Sequence, residues 1–319
     1  MDLSAVVIVV VVLVGVWAVS FVVEALRPTP ETPESLSWDP VVKPRYLDVD
    51  GVRLRYIQVG TGPPLVLLHT LRTQLDLFHK VIPDLAKEFT VYAPDYPGHG
   101  YSDIPDAPYD ADFIAGCIAR FLEEIDVDAV TLSGVSIGAS IALILGGQRN
   151  PRIKRIVAIN PYDYARGKGL ARSSLLGRVL SLLTDIPLVG DTVMRLRNYL
   201  VIRTVMNGGV HDPRSIDPGL MKEMYRVGNR RGHYRAFTNL LRNSPSWEQA
   251  TGDYPNISVP VLLVWGEHDW ASPEERQHDA ALIPNVESVT VANGGHFLPL
   301  DAPAEVIRLI RSFADSRPA

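Results

Sequence analysis

Three residues of complementary chemistry stand at separate points of the chain: Ser136, Asp269 and His296. Ser136 is the centre of Gly134-Val135-Ser136-Ile137-Gly138, a G-x-S-x-G pattern. Such a pattern arises by chance in about one chain in ten of this length, so the spacing alone decides little. Its setting decides more. The β-type run Ala129–Leu132 precedes it, and the helix-forming segment Ile137–Gly147 follows. A serine on a tight strand-to-helix turn needs small neighbours, because the backbone there is crowded. The N-terminus of the helix that follows favours negative charge developing at the serine. A hydroxyl is a weak nucleophile until a base takes its proton. His296, in Gly294-Gly295-His296-Phe297, is the candidate base, and Asp269, in Gly266-Glu267-His268-Asp269, is the candidate carboxylate that orients it. Asp163 is the alternative acid. A Gly-Ser turn or a solvated loop histidine would each be unremarked alone; it is their coincidence at strand ends that favours catalysis.

These residues need a framework that brings distant strand ends together. Arg45–Val49 and Val52–Gln58 flank Asp50-Gly51 and read as a hairpin. Pro64–Leu68, Thr90–Ala93, Ala129–Leu132, Ile153–Ile159, Val261–Trp265 and Val286–Val291 are short apolar runs suited to buried strands. Helical patterns run through Leu77, Val81, Leu85 and Phe89, over Phe113–Ile125 and Ile137–Gly147, and over Ala302–Phe313 with Asp301 as N-cap. The alternation predicts an α/β fold, a mostly parallel twisted sheet flanked by helices.

Residues 162–245 break that alternation. They read as a helical lid inserted between two strands, leaving 45–161 and 246–319 as the core. The insertion carries fourteen Lys and Arg against six Asp and Glu, while the whole chain has net charge −5. Most of these arginines would face water individually, but the segregation of sign suits anionic lipid surfaces or acidic substrates. Met194, Met206, Met221 and Met224 suit either an apolar pocket or internal lid packing.

From Leu3 to Val23 there is no charged residue. As a helix this run is roughly 31 Å long, about one bilayer core. Residues 1–26 are therefore expected to be a single-pass membrane anchor. The rival reading is a cleaved signal peptide with Ala18 and Ser20 before the cut; the absence of Lys or Arg ahead of the run and its length speak against it. Arg27, Lys43 and Arg45 follow the span, which places the main domain on the cytoplasmic side. Residues 27–44 hold five prolines and read as an extended spacer between membrane and domain. The acidic balance argues against a nucleic-acid partner. A lone cysteine, Cys117, excludes an internal disulfide framework and a Cys-cluster zinc site, and no His pair has the spacing of a helical metal site.

Residues Arg45–Phe313 resemble the α/β-hydrolase superfamily, of the type with a helical cap. The likeness rests on Leu67-Leu68-His69, on Asp95 to Ser102 (Asp-Tyr-Pro-Gly-His-Gly-Tyr-Ser), on Gly134–Gly138, on Gly266–Asp269 and on Gly294–His296. The chain order Ser136, Asp269, His296 is the one such proteins use. The resemblance implies hydrolysis through an acyl-enzyme on Ser136, with no metal or organic cofactor. Epoxide hydrolases and haloalkane dehalogenases look similar but place an Asp where this chain has Ser136. After the third strand the family shows His-Gly-X, with X donating an oxyanion N–H; here the residues are His69-Thr70-Leu71. By that match Leu71 donates one N–H and Ile137 the other. Thr70 is β-branched where glycine would leave the backbone free, so either the loop takes another path or the hole is altered. One lost donor costs roughly 10²–10³ in rate. Arg72 and Gln74, just beyond, are candidates for substrate binding. His69 and His99 read as structural.

The expected activity is cleavage of a small-molecule or lipid-like carboxylic ester. The same triad could instead serve C–C bond hydrolysis or acyl transfer. A catalytically silent binding protein is the alternative outside enzymes, and Thr70 is what gives it weight.

Overall fold

The computed structural model describes residues 3–315; Met1, Asp2 and residues 316–319 lie outside the described residues. The hairpin forms as β1 (Arg45–Val49) and β2 (Val52–Val59), turning at Asp50-Gly51, both with positive φ. β3 (Pro64–Leu68), α2 (Ile82–Leu85), β4 (Thr90–Pro94), α3 (Ala111–Glu124), β5 (Val130–Val135), α4 (Ile137–Gly147) and β6 (Ile153–Ile159) follow α1 (Leu3–Ala25) and this hairpin. The eight strands, completed by β7 (Val261–Gly266) and β8 (Val286–Val291), lie in the order β1-β2-β4-β3-β5-β6-β7-β8. β1, β2 and β4 pair antiparallel and the remaining pairs are parallel. A mostly parallel sheet covered on both faces needs strands apolar on both sides, and β5 and β7 bury every residue.

Two local expectations are revised. The helical pattern through Leu77–Phe89 splits into a 3₁₀ turn, Leu75–Phe78, and the short α2, because Pro83 begins a new helix at its first turn. Asp301 does not cap the closing helix α13 (Pro303–Asp315). It ends a separate short helix, α12 (Leu298–Asp301), and its carboxylate accepts from the N–H groups of Gly295 and His211 and from the Ser215 hydroxyl. An Asp ahead of an apolar helical pattern resembles a cap in sequence; here four donors from elsewhere, Asp212 N–H included, claim it first.

Between β6 and β7 the described residues form helices and loops: α5 (Leu175–Thr184), α6 (Val189–Arg195), α7 (Tyr199–Asn207), α8 (Pro218–Gly228), α9 (His233–Arg242) and α10 (Pro245–Gln249), with short 3₁₀ turns. Helical turns run on through Asn256, before α11 (Pro273–Leu282), which opens with a capping box from Ser272 and Glu275.

α1 is long and apolar enough to cross a membrane. Its last turns, however, are anchored in the helical insertion. Ser20 and Glu24 are buried, Glu24 pairs with Arg197 at 2.7 Å and with Arg27 at 3.0 Å, and Arg195 Nε donates to Ser20 Oγ at 2.9 Å. Residues 27–44 contain no helix or strand, but they are not a free spacer. Leu36 and Val42 are buried in the core, and Trp38 Nε1 donates to Asp76 at 2.7 Å. Three apolar residues among the prolines suffice to fasten the segment.

Candidate active site

β5 ends in the middle of the sheet, and the chain reverses sharply into α4 at Ser136, with φ 58° and ψ −122°. Such a backbone costs of order 1–3 kcal/mol and persists only where the surroundings impose it. The glycines of the motif make it possible. A Cβ at Gly134 would meet Gly138 O at 2.1 Å, and one at Gly138 would meet Leu68 O at 2.2 Å. Ser136 N–H donates to Ile159 O, tying the turn to β6. The first N–H groups of α4, Ile137 included, have no carbonyl within the helix to bond, so they point toward the serine end.

Three strand ends converge on this turn. Ser136 Oγ lies 2.8 Å from His296 Nε2, and His296 Nδ1 lies 2.5 Å from Asp269 Oδ1. With the Nδ1 proton donated to Asp269, Nε2 is left as an acceptor for the hydroxyl. Asp269 is held by the Ala271 N–H on its other oxygen. Its side chain and that of His296 are fully shielded, as is Ser136. The alternative acid, Asp163, turns away from His296. It accepts from the Tyr254 hydroxyl and faces Asp279, and burial raises the pKa of both carboxyls.

Two residues that sequence reasoning passed over position the histidine. The Trp270 ring stacks on His296 with centroids 3.8 Å apart and planes at 13°. Asn160, at the end of β6, donates to the carbonyls of Gly295 and His296 and accepts from Gly266 N–H, binding three strand-end loops at one point. Trp270 follows Asp269 directly, so an aromatic next to the acid was the available signal; nothing in the sequence marks Asn160.

The loop after β3 takes a regular path despite Thr70. Thr70 is buried and absent from the residues with positive φ, so its β-branch meets no left-handed strain. Thr73 closes the turn: its N–H and hydroxyl donate to Thr70 O, and its oxygen accepts from Thr70 N–H. The residue that does carry positive φ is Arg72, at 62°. His69 donates from Nδ1 to Thr70 O and accepts at Nε2 from Tyr96 N–H, a neutral imidazole whose pKa burial lowers to about 4. His99 is likewise buried, its pKa lowered to about 3 by burial.

The two residues expected to bind substrate part company. Arg72 Nη1 donates to Gly228 O at 2.6 Å and lies 2.6 Å from His233 Nδ1, and its side chain borders a cavity of about 40 Å3 otherwise lined by the insertion itself. Met194 and Met206 line the same cavity. Gln74 instead gives its amide to Asp76, inside a buried network in which Arg55 pairs with Asp95 at 2.5 Å and Asp76 at 3.0 Å. Its polar group is thus engaged in holding the loop between β3 and α2.

The insertion closes over this arrangement. Phe297 N–H donates to Gly209 O at 2.7 Å, Trp270 Nε1 donates to Gly208 O at 2.9 Å, and Arg172 bridges Trp270 O and Glu275.

Residues 63–303 match the family described as the alpha/beta hydrolase fold. Haloalkane dehalogenase 2 of Mycobacterium tuberculosis is 27% identical over 281 residues, covering 85% of this chain and 96% of that protein. The soluble epoxide hydrolase of Corynebacterium sp. is 27% identical over 276 residues, covering 81% and 92%. The crystal structure of Cfl2 from Burkholderia cenocepacia superposes with a TM-score of 0.77 at 24% identity, covering 89% of this chain and 99% of that one. With a matched segment that spans most of the molecule, the chain belongs to the α/β-hydrolase family.

Proposed function

We propose that the protein is a membrane-anchored serine hydrolase that cleaves a carboxylic ester through an acyl-enzyme on Ser136. One observation carries this reading: Ser136, His296 and Asp269 are hydrogen-bonded in series, with the serine on a strained turn at the head of α4. His296 takes the Ser136 proton as Oγ adds to the ester carbonyl, and Asp269 steadies the imidazolium. The N–H groups of Leu71 and Ile137 bind the oxyanion. Collapse expels the alcohol, protonated by His296. Water, deprotonated by the same histidine, then adds to the acyl-enzyme and frees the acid and Ser136.

Relatives named for dehalogenation and epoxide hydrolysis do not move the proposal toward those reactions. The resemblance puts a carboxylate nucleophile in such enzymes, and a hydroxyl stands here.

The reading of α1 as a retained anchor gains support from its base. Ser20, a candidate cleavage residue, is fully buried and bonded to Arg195, and Glu24 and Arg27 fill the insertion beside it. Residues 162–245 are proposed to act as a lid, since both reacting side chains are closed to solvent beneath them.

The test is hydrolysis of p-nitrophenyl esters across acyl lengths by the full chain in detergent micelles, beside Ser136→Ala. Turnover that depends on Ser136 is expected, and its chain-length optimum sizes the opened pocket. Equal turnover by the variant would refute the acyl-enzyme. Removing residues 1–27 is the wrong simplification, because it deletes Glu24 from the Arg197 pair.

A further inference from the structure

We propose that the outer side of α5 and the turn into α6 lie in the same bilayer leaflet as the end of α1, which makes the helical insertion a second membrane contact. The inference rests on reading α1 as a membrane helix.

α5 is apolar on two sides. Its inner side buries Leu180 and Thr184. Its outer side carries Leu175, Val179 and Leu182, and Ile186 continues the same line at i, i+4, i+7 and i+11. These side chains are exposed, Leu175 by 77% and Leu182 by 64%, and Leu188 at 65% extends the strip into α6. A helix in contact with water on one side ordinarily puts polar residues there. A contiguous exposed apolar strip marks a contact surface.

The occupant follows from where the strip sits. α6 packs beside α1. Arg195, in the last turn of α6, lies over the Phe21 ring at 3.9 Å. Phe21 meets Trp17 edge to face at 4.9 Å, one turn before the apolar run of α1 ends. Aromatic side chains at the end of an apolar span occupy the headgroup level of a bilayer. α6, which starts where the strip ends, therefore reaches with its last turn the level where α1 leaves the lipid, beside a helix whose own apolar side chains are exposed along its length. The excess of Lys and Arg in the insertion complements anionic headgroups around such a seat.

The cavity bordered by Arg72, Leu180, Ile202 and Phe237 holds about 40 Å3, whereas ligand pockets run to roughly 300–1000 Å3. α5 and α7 form part of its wall, so an acyl chain lodged inside the insertion would have to part them.

The experiment places an environment-sensitive nitrobenzoxadiazole label at Leu182→Cys or Leu188→Cys in the full chain, with Cys117→Ser removing the native thiol. The protein is reconstituted in phosphatidylcholine–phosphatidylglycerol vesicles. Asp126→Cys serves as the control, exposed at the opposite end of the sheet just before β5. The expected result is blue-shifted emission at positions 182 and 188, quenched by lipids brominated on their acyl chains and protected from aqueous iodide. The control is expected to behave in the opposite way. Labels at 182 and 188 that iodide quenches, on protein that floats with the vesicles, would overturn the second contact alone. Protein that does not float would overturn the anchor itself, and this inference with it.

Discussion

β5, β7 and α4 bury every residue they contain, whereas α5 buries one side and leaves Leu175, Val179 and Leu182 uncovered. The contrast extends to charge. In the core the fully buried Arg55 has both Asp95 and Asp76 as partners. Where α1 and the β3 loop meet the insertion, Arg72 of that loop and Arg195 and Arg197 of the insertion are buried, Glu24 of α1 pairs with Arg197 alone of these three, and burial beside Arg197 and Arg27 pushes the Arg72 pKa well down. Fixed geometry is what reacting atoms need, and a sheet whose central strands are wholly buried supplies it. A cover that must open is better built from elements whose burial is incomplete. The two regions meet where Gly208 and Gly209 touch Trp270 and Phe297, so the proposed lid is hydrogen-bonded directly to the loops that hold Asp269 and His296.

If the core holds the chemistry, the largest effect belongs to Ser136→Ala. Ester turnover is expected to fall by on the order of 10⁴–10⁶, with thermal unfolding little changed. Comparable residual activity would move the nucleophile elsewhere. Asp269→Asn should lower kcat by about 10⁴ without loss of fold, because the imidazole is then held in the wrong tautomer. A loss of tenfold or less, measured with the same ester, would remove Asp269 from that role.

Glu24→Gln addresses the insertion. Taking one partner from a buried ion pair costs about 3–5 kcal/mol. Urea unfolding in detergent is expected to acquire an early step for the insertion ahead of the core transition; a single unshifted transition would show that the junction contributes nothing to the cover.

The smallest effect concerns a pair that spans the two regions, Asp163 at the start of the insertion and Asp279 of α11. Burial raises both carboxyl pKa values, so the folded state keeps a proton that the unfolded state releases above about pH 4. Stability from this pair is therefore present at low pH and lost as pH rises toward the raised folded values. Asp279→Asn is expected to stabilise the protein, more at pH 9 than at pH 5, by thermal unfolding. An equal shift at both values would mean that no proton is held there.

Much of the core could be read from the chain because its rules are local. Ile153–Ile159, Val286–Val291 and Ile137–Gly147 form with the bounds their apolar runs suggest, and the glycines around Ser136 announce the turn they permit. What could not be read depends on partners far along the chain. Asp301 looks like a cap until donors from residues 211–215 and 295 arrive, and Gln74 looks free until Asp76 is fixed by Arg55. Residues 27–44 look like a tether until Leu36 and Trp38 find their sites. Asn160 carries no local signal at all, since its role exists only once β6, β7 and the His296 loop are side by side.

The most direct measurement is reaction of the full chain with a fluorophosphonate, followed by mass spectrometry of its peptides. A single phosphonyl adduct on Ser136, abolished in Ser136→Ala and slowed in Asp269→Asn, is the expected outcome. A folded protein that forms no adduct, or one labelled equally when Ser136 is replaced, would contradict a serine nucleophile at the head of α4.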